Sequence, residues 1–412
     1  MYILKKITAT FLILFSLIPM TTVCYAGGEK EETNPAPSSP AEPIETTVSA
    51  ISQDVPEDVR NKVKAASAIL IEQSSGKVLF EFNPDEPRAP ASITKVMTLL
   101  LVMEAISNGE LSLSDTIIAS EHACSMGGSQ IWLEPGENMT VDELIRATAI
   151  ASANDAAVAL AEHLGGSEQG FVDLMNARAS QLGMNNTCFK NASGLDEEGH
   201  FTTARDIATM SAELLKHELI KNYSTVWMDS LRGGETELVN TNKLIRFYKG
   251  ATGLKTGTTD EAGRCVTASA MRGDMQIIAV ILGAQNRDEQ FSSASTLLNY
   301  AFDSYTMTSP PSIDDQLLPV KIEGGVLNEI LPVCTVPKKL LLHKGDEKQL
   351  EQIVELPDSI RAPLAAGDQI GRVIIKIAGE TVGEYAINTP CEVEKMTFGK
   401  AFSLLFAAML QN

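Results

Sequence analysis

The sequence is poor in the residues that build metal centres and disulfide frameworks. Its 412 residues include five histidines with no HExxH-type spacing and six cysteines with no CxxC pair. That pattern excludes a zinc site of ordinary spacing and a cysteine-stapled scaffold, so neither metal nor cofactor is expected. Basic residues are the minority, 33 against 53 acidic, for a formal net charge of −20. A nucleic-acid partner needs the opposite balance and is not expected. A long apolar span is missing as well. The stretch from Ile7 to Met20 is short of the ~20 apolar residues that cross a bilayer.

What is present reads as a globular chain of two or three domains, 44% hydrophobic. Lys5 and Lys6, the apolar stretch and Cys24-Tyr25-Ala26 form an export signal over 1–26, cleaved after Ala26. Cleavage leaves Cys124, Cys188, Cys265, Cys334 and Cys391, for which one bridge is possible and mostly free thiols are expected. Residues 27–59 are rich in Pro, Glu, Ser and Thr and predict a disordered tether. Two apolar runs about a Ser-Gly turn, "ASAILIEQSSGKVLFEFN", predict a hairpin. Helices are expected over 93–106, in two stretches of 141–164, and over 168–182 and 203–220. Strands follow at 264–271 and 275–284, then the helix "DEQFSSASTLLNYAFDSY". Strands at both ends with helices between them predict one α+β domain over 60–308, an antiparallel sheet faced by a helical subdomain. "SPPSIDD" marks a boundary, and short strands over 309–391 predict a small β-sandwich or barrel.

Three motifs carry the chemistry. Ser92-Ile93-Thr94-Lys95 places a hydroxyl and an amine on one helical face, where a neutral lysine can deprotonate the serine. Burial or a second cation would lower the Lys95 pKa, and the helix N-terminus favours a developing oxyanion. Spacing alone is weak, because Ser-x-x-Lys arises about once or twice by chance in a chain this long. Ser74–Lys77 is such a case, in the hairpin turn. The second motif, Ser152-Ala153-Asn154, interrupts an apolar helical run; read alone it serves equally as a helix cap. The third, Lys255-Thr256-Gly257, suits a strand edge that grips a carboxylate; read alone, Lys255 serves equally as an exposed loop lysine.

Taken in order along the chain, the set resembles that of β-lactamases and penicillin-binding proteins. "PASITKVMT", "GGSQIWLEPGENMTVDELI", "ASANDAAVALAEHLGG", "FKNASGLDEEGHFTTARDIATMS" and "NTNKLIRFYKGATGLKTGTTDEAG" are similar to D-alanyl-D-alanine carboxypeptidases of the serine peptidase S11 type, from about residue 60 onward. The resemblance implies a β-lactamase/transpeptidase-like catalytic domain and a substrate, a peptidoglycan stem peptide ending in D-Ala-D-Ala, with β-lactams as covalent inhibitors. It implies Ser92 as nucleophile, Lys95 as base and Ser152 as proton relay to the leaving nitrogen. Asn154 would orient Lys95 and the substrate amide. Lys255 and Thr256 would bind the terminal carboxylate beside Gly257, and the N–H groups of Ser92 and Thr258 would form the oxyanion hole. Gly127, Gly128 and the "NASGLD" loop would shape the cleft. Thr258 and Ser193 depart from residues that some relatives carry there. A class A β-lactamase would need a Glu-x-x-Leu-Asn loop between Ser152 and Lys255; "ETELVN" has one residue too many. A transpeptidase and a non-catalytic wall-binding module are the other readings.

Within 392–412, Phe398, Phe402, Leu405, Phe406 and Met409 form one helical stripe, with Lys400, Ser403, Ala407 and Gln411 roughly opposite and Leu404 and Leu410 as exceptions. The segment is too short to span a bilayer and predicts an amphipathic anchor lying on the outer face of the cytoplasmic membrane.

Overall fold

The computed structural model describes residues 55–410. The export signal and most of the tether lie outside the described residues. The tether reading ends too late. Glu57–Lys62 is helical, with Glu57 and Asp58 in its first turn and Arg60 and Lys62 in its last, the charge order that complements the helix dipole. Val59 ties this helix to the apolar core, an anchor that the polar composition around it conceals.

Strand β1 (Ser67–Glu72) and strand β2 (Val78–Phe82) form the expected hairpin. Strands β3 (Ala251–Thr259), β4 (Gly263–Arg272) and β5 (Met275–Ala284) complete an antiparallel sheet of order β2-β1-β5-β4-β3. Its two central partners read as unbroken apolar runs because both faces are covered. Leu70, Ile277 and Ile281 pack on the Arg287–Ser304 helix side, while Ile69, Ile71, Ile278 and Val280 join the core of the helical subdomain. Strand β3 has β4 on one side only, so Lys255 to Thr258 lie along a free sheet edge.

The helical subdomain contains Lys95–Ser107, Val141–Arg146, Asn154–Gly165, Glu168–Gln181 and Ala204–Leu214. The helix expected over 203–220 stops at Leu214 and resumes as a short 3₁₀ turn, Glu218–Ile220. Two small hairpins, Thr116–Ile118 with Asn138–Thr140 and Met228–Leu231 with Thr236–Val239, have runs too short to stand out as alternation.

Beyond residue 304, a three-stranded and a four-stranded sheet enclose a core that includes Val320, Ile322, Val373 and Ile387. The boundary is less abrupt than "SPPSIDD" suggests. Tyr305–Thr308 pairs with Leu340–His343, and Tyr305 is buried in the core beside the Arg287–Ser304 helix. The final helix is Phe398–Leu410. The segment before it belongs to the β-domain, since Val393 is buried there and Lys395 bridges to Gly325.

Candidate active site

Pro90 leads into a 3₁₀ turn, Ala91–Thr94, which continues as the Lys95–Ser107 helix. Ala91 holds φ 47°, a left-handed conformation uncommon for a residue with a Cβ. Strand β3 crosses this turn closely. A Cβ on Gly257 would stand 2.9 Å from Ala91 Cβ and 3.0 Å from Ser92 N, so only glycine lets the strand edge approach the Ser92 amide.

Lys95 is fully buried, and its Nζ has three neighbours: Ser92 Oγ at 3.0 Å, Asn154 Oδ1 at 2.5 Å and the Ser193 carbonyl at 2.6 Å. Asn154 cannot turn its amide around without loss, because its Nδ2 donates to the Gly127 carbonyl at 2.6 Å. Burial first, and the charge of Lys255 second, hold the Lys95 amine well below the usual lysine range; Asp155 acts in the opposite direction. In its neutral form this amine has two hydrogens and one lone pair. The two carbonyl oxygens can only accept, so they take the hydrogens. The lone pair is left facing the Ser92 hydroxyl.

The polar break at Ser152 is a distortion of the helix rather than a cap. Ala147–Ala151 is a π-helical turn, closed by Ser152 N donating to Ala147 O, to which Ala153 N also donates at 3.1 Å. Ser152 takes φ 64° and ψ 29°, and the next helix starts at Asn154 with Ala153 as its N-cap and no side-chain cap bond. The extra residue swings Ser152 and Asn154 out of the helical register. Both are buried, and π-turns of this kind concentrate at functional sites. Ser152 shows no hydrogen bond to Lys95.

On the strand edge, Lys255 is 1% exposed, and burial brings its amine down to about 7. Its Nζ has one weak contact, to Thr256 O at 3.5 Å, and no carboxylate forms an ion pair with it among the described residues. Thr256 Oγ1 donates to Thr241 Oγ1 at 2.7 Å, and the exposed Thr258 donates to the Gly257 carbonyl at 2.8 Å.

The "NASGLD" loop closes over the catalytic helix. Thr98 Oγ1 donates to Ala192 O at 2.7 Å, and a Cβ on Gly194 would fall 1.9 Å from Ala91 O. His200, whose pKa burial pushes down to about 4, is a neutral ring 2.9 Å from Thr94 Oγ1. In contrast, Ser74 and Ser75 hydrogen-bond the buried Glu72 carboxylate, and Lys77 does not reach Ser74.

Sequence comparison agrees with this geometry. Residues 51–286 match the D-alanyl-D-alanine carboxypeptidase family, peptidase S11, and residues 305–395 match the C-terminal domain of penicillin-binding protein 5. The chain belongs to the D-alanyl-D-alanine carboxypeptidase family. It is 43% identical over 339 residues to D-alanyl-D-alanine carboxypeptidase DacF of Bacillus subtilis, covering 81% of this chain and 87% of that one. Penicillin-binding protein 5 of Haemophilus influenzae superposes with a TM-score of 0.73 at 27% identity, covering 81% of this chain and 98% of the other. Penicillin-binding protein D2 of Listeria monocytogenes, in an ampicillin-bound form, covers 58% of this chain and 97% of its own, at 32% identity and TM-score 0.53. As a family member the protein is a serine hydrolase.

The structure also brings to this cleft groups that sequence reasoning did not find. Asp155 is buried and accepts from the backbone N–H groups of Ile131 and Leu133, each at 3.1 Å, which anchors the 127–133 loop beside Asn154. A carboxylate inside the apolar run "DAAVALAEHL" was the available signal. The Ser193 carbonyl and Thr241 had none: a backbone oxygen has no sequence signature, and Thr241 is one polar residue among several.

Proposed function

We propose that this carboxypeptidase works through an acyl-enzyme on Ser92, and the observation that carries the reading is the buried Lys95 Nζ 3.0 Å from Ser92 Oγ, with two carbonyl oxygens to take its hydrogens. Lys95 takes the hydroxyl proton as Oγ attacks the carbonyl of the penultimate D-Ala. The N–H groups of Ser92 and Thr258 receive the oxyanion, in keeping with the close approach of strand β3 to the Ser92 amide. The C–N bond then breaks, and the proton held by Lys95 reaches the leaving D-alanine nitrogen through the Ser152 hydroxyl, which returns Lys95 to its neutral form. In the second half Lys95 takes a proton from water, the hydroxide attacks the ester, and Ser92 recovers its hydroxyl proton. Asn154 holds Lys95 in place. Among the described residues no carboxylate pairs with the buried Lys255 amine, which fits a role with Thr256 in binding the free terminal carboxylate. β-Lactams would acylate the same Ser92.

The expected site of action is outside the cytoplasm, on the outer face of the cytoplasmic membrane or in secreted form. Among the described residues no helix is long and apolar enough to cross a bilayer. Phe398, Phe402, Leu405, Phe406 and Met409 are all exposed on the final helix, which supports an anchor lying flat on lipid.

Labelled penicillin and a peptide ending in D-Ala-D-Ala test the reading together. Ser92→Ala should lose both covalent labelling and D-alanine release, whereas Ser74→Ala should keep both. Labelling that persists in Ser92→Ala would refute the assignment of the nucleophile. An added amine acceptor shows whether water or amine receives the acyl group.

A further inference from the structure

A chain of net charge −20 carries one surface on which cations and aromatic rings alternate. Between Glu237 and Asp260 the sequence has no acidic residue, and its cations are Lys243, Arg246, Lys249 and Lys255. Lys255 is buried, Lys243 is half-buried, and Arg246 and Lys249 are exposed. The short helix Leu244–Phe247 sets Arg246 against two rings, 5.5 Å from the centroid of Trp227 and 5.5 Å from that of Phe247. Arg272 lies over Tyr248 and Phe302 at 5.3 and 4.3 Å, and Arg287 lies over Phe291 at 6.0 Å. These rings share one place. Phe247, Tyr248 and Phe291 line a single groove of about 380 Å³, together with Lys243 and Asp288.

Lys243, Arg246, Lys249, Arg272 and Arg287 form no ion pair among the described residues. Elsewhere in the catalytic domain Arg88, Arg146, Arg178, Arg205 and Arg232 each meet a carboxylate. Opposing charges here are few. Asp288 lines the groove and Asp303 acts on Tyr248, while Asp274 is paired with Lys339 and Glu289 accepts from Gln285 N. Five cations thus stand against two carboxylates, on a molecule that elsewhere repels anions.

We propose that this surface docks a linear phosphodiester polymer, with its phosphates on Arg246, Arg272 and Arg287 and its backbone along the aromatic groove. A guanidinium stacked on a ring is covered on its flat side and keeps its N–H edge for an anion, which suits the paired oxygens of a phosphate. A groove admits a single chain, whereas a bilayer surface would rest on its rims. None of the three arginines is among the residues assigned to the reaction, so the docked polymer leaves the Ser92 site open.

The chain has two tryptophans, Trp132 and Trp227. In the full chain carrying Trp132→Phe, the remaining indole is the one against Arg246, and its fluorescence reports on this surface directly. Long-chain inorganic polyphosphate should give a saturable change at low salt that added salt reverses. Variants are then compared by the anisotropy of end-labelled polyphosphate. Arg246→Gln with Arg287→Gln should weaken binding about tenfold. Lys216→Gln, at an exposed lysine paired with Glu213, should leave it unchanged. Penicillin labelling should be equal in all of them, which shows that each is folded. Polyglutamate of similar length should bind more weakly than polyphosphate. Equal binding of polyglutamate, a response to anionic vesicles without one to polyphosphate, or a double variant that binds like the unaltered protein would each overturn the proposal.

Discussion

Two buried lysines are used in opposite protonation states in the proposed mechanism. Lys95 must be neutral to accept the Ser92 proton, and burial with the nearby Lys255 cation favours that form. Lys255 must be charged to attract a carboxylate, and its pKa near 7 means that it discharges as pH rises through neutrality. The two effects have opposite sign in kcat/KM, which reports groups of the free enzyme. Rising pH helps where Lys95 sheds its proton and hurts above about 7, where Lys255 sheds its own. A peptide amidated at its C-terminus has no carboxylate to lose and should lack the alkaline fall. Matching alkaline limbs for acid and amide would remove Lys255 from the carboxylate site. Lys255→Ala should cost the acid substrate about tenfold to a hundredfold, the worth of a charge-assisted contact, and the amide much less.

At the scale of elements, function depends on where regular structure stops. The π-turn before Ser152 and the 3₁₀ turn carrying Ser92 both end in ordinary helices, and each departure aims a polar group inward. The terminal helix shows the reverse case, an element whose boundary decides an experiment. Residues 393–396 hold the β-domain together: Val393 is buried and pairs with Leu364, and Met396 N donates to Gly324 O at 2.8 Å. Deleting 398–412 should abolish pelleting with anionic vesicles and leave thermal stability and penicillin labelling intact. Deleting 393–412 should also destabilise the β-domain, by about 1.5–3 kcal/mol for loss of the Val393 side chain alone. If the shorter deletion unfolds the protein in a thermal melt, the helix is part of the core and not an anchor.

The whole molecule is joined where its two halves exchange a strand. Tyr305 stacks on His343 with ring centroids 4.3 Å apart, Lys344 donates to Phe302 O at 2.7 Å, and Lys339 pairs with Asp274. Tyr305 and Leu341 come from opposite sides of the "SPPSIDD" boundary and share one core. Tyr305→Ala should therefore destabilise both halves at once, by about 3–5 kcal/mol for a large buried aromatic. Penicillin labelling after heating and far-ultraviolet circular dichroism should move together in this variant. A melt in which labelling stays at its original temperature would show that the halves unfold independently.

The amino-acid sequence by itself determined what depends on local order. Apolar runs on either side of a Ser-Gly turn specify the hairpin, and three short motifs in a fixed order point to the family and to the side chains proposed to react. Hydrophobic spacing also placed the long helices, though it ran the Ala204–Leu214 helix on to 220 and hid Val59 in a polar stretch. Only the tertiary structure decided how those side chains act. The lowering of the Lys95 pKa comes from burial and from a lysine 160 residues away in sequence. The direction of its lone pair is set by two carbonyl oxygens, one on Asn154 and one on the backbone of Ser193. Desolvation and hydrogen-bond direction are properties of what surrounds an atom, and residues distant along the chain supply those surroundings only once it has folded.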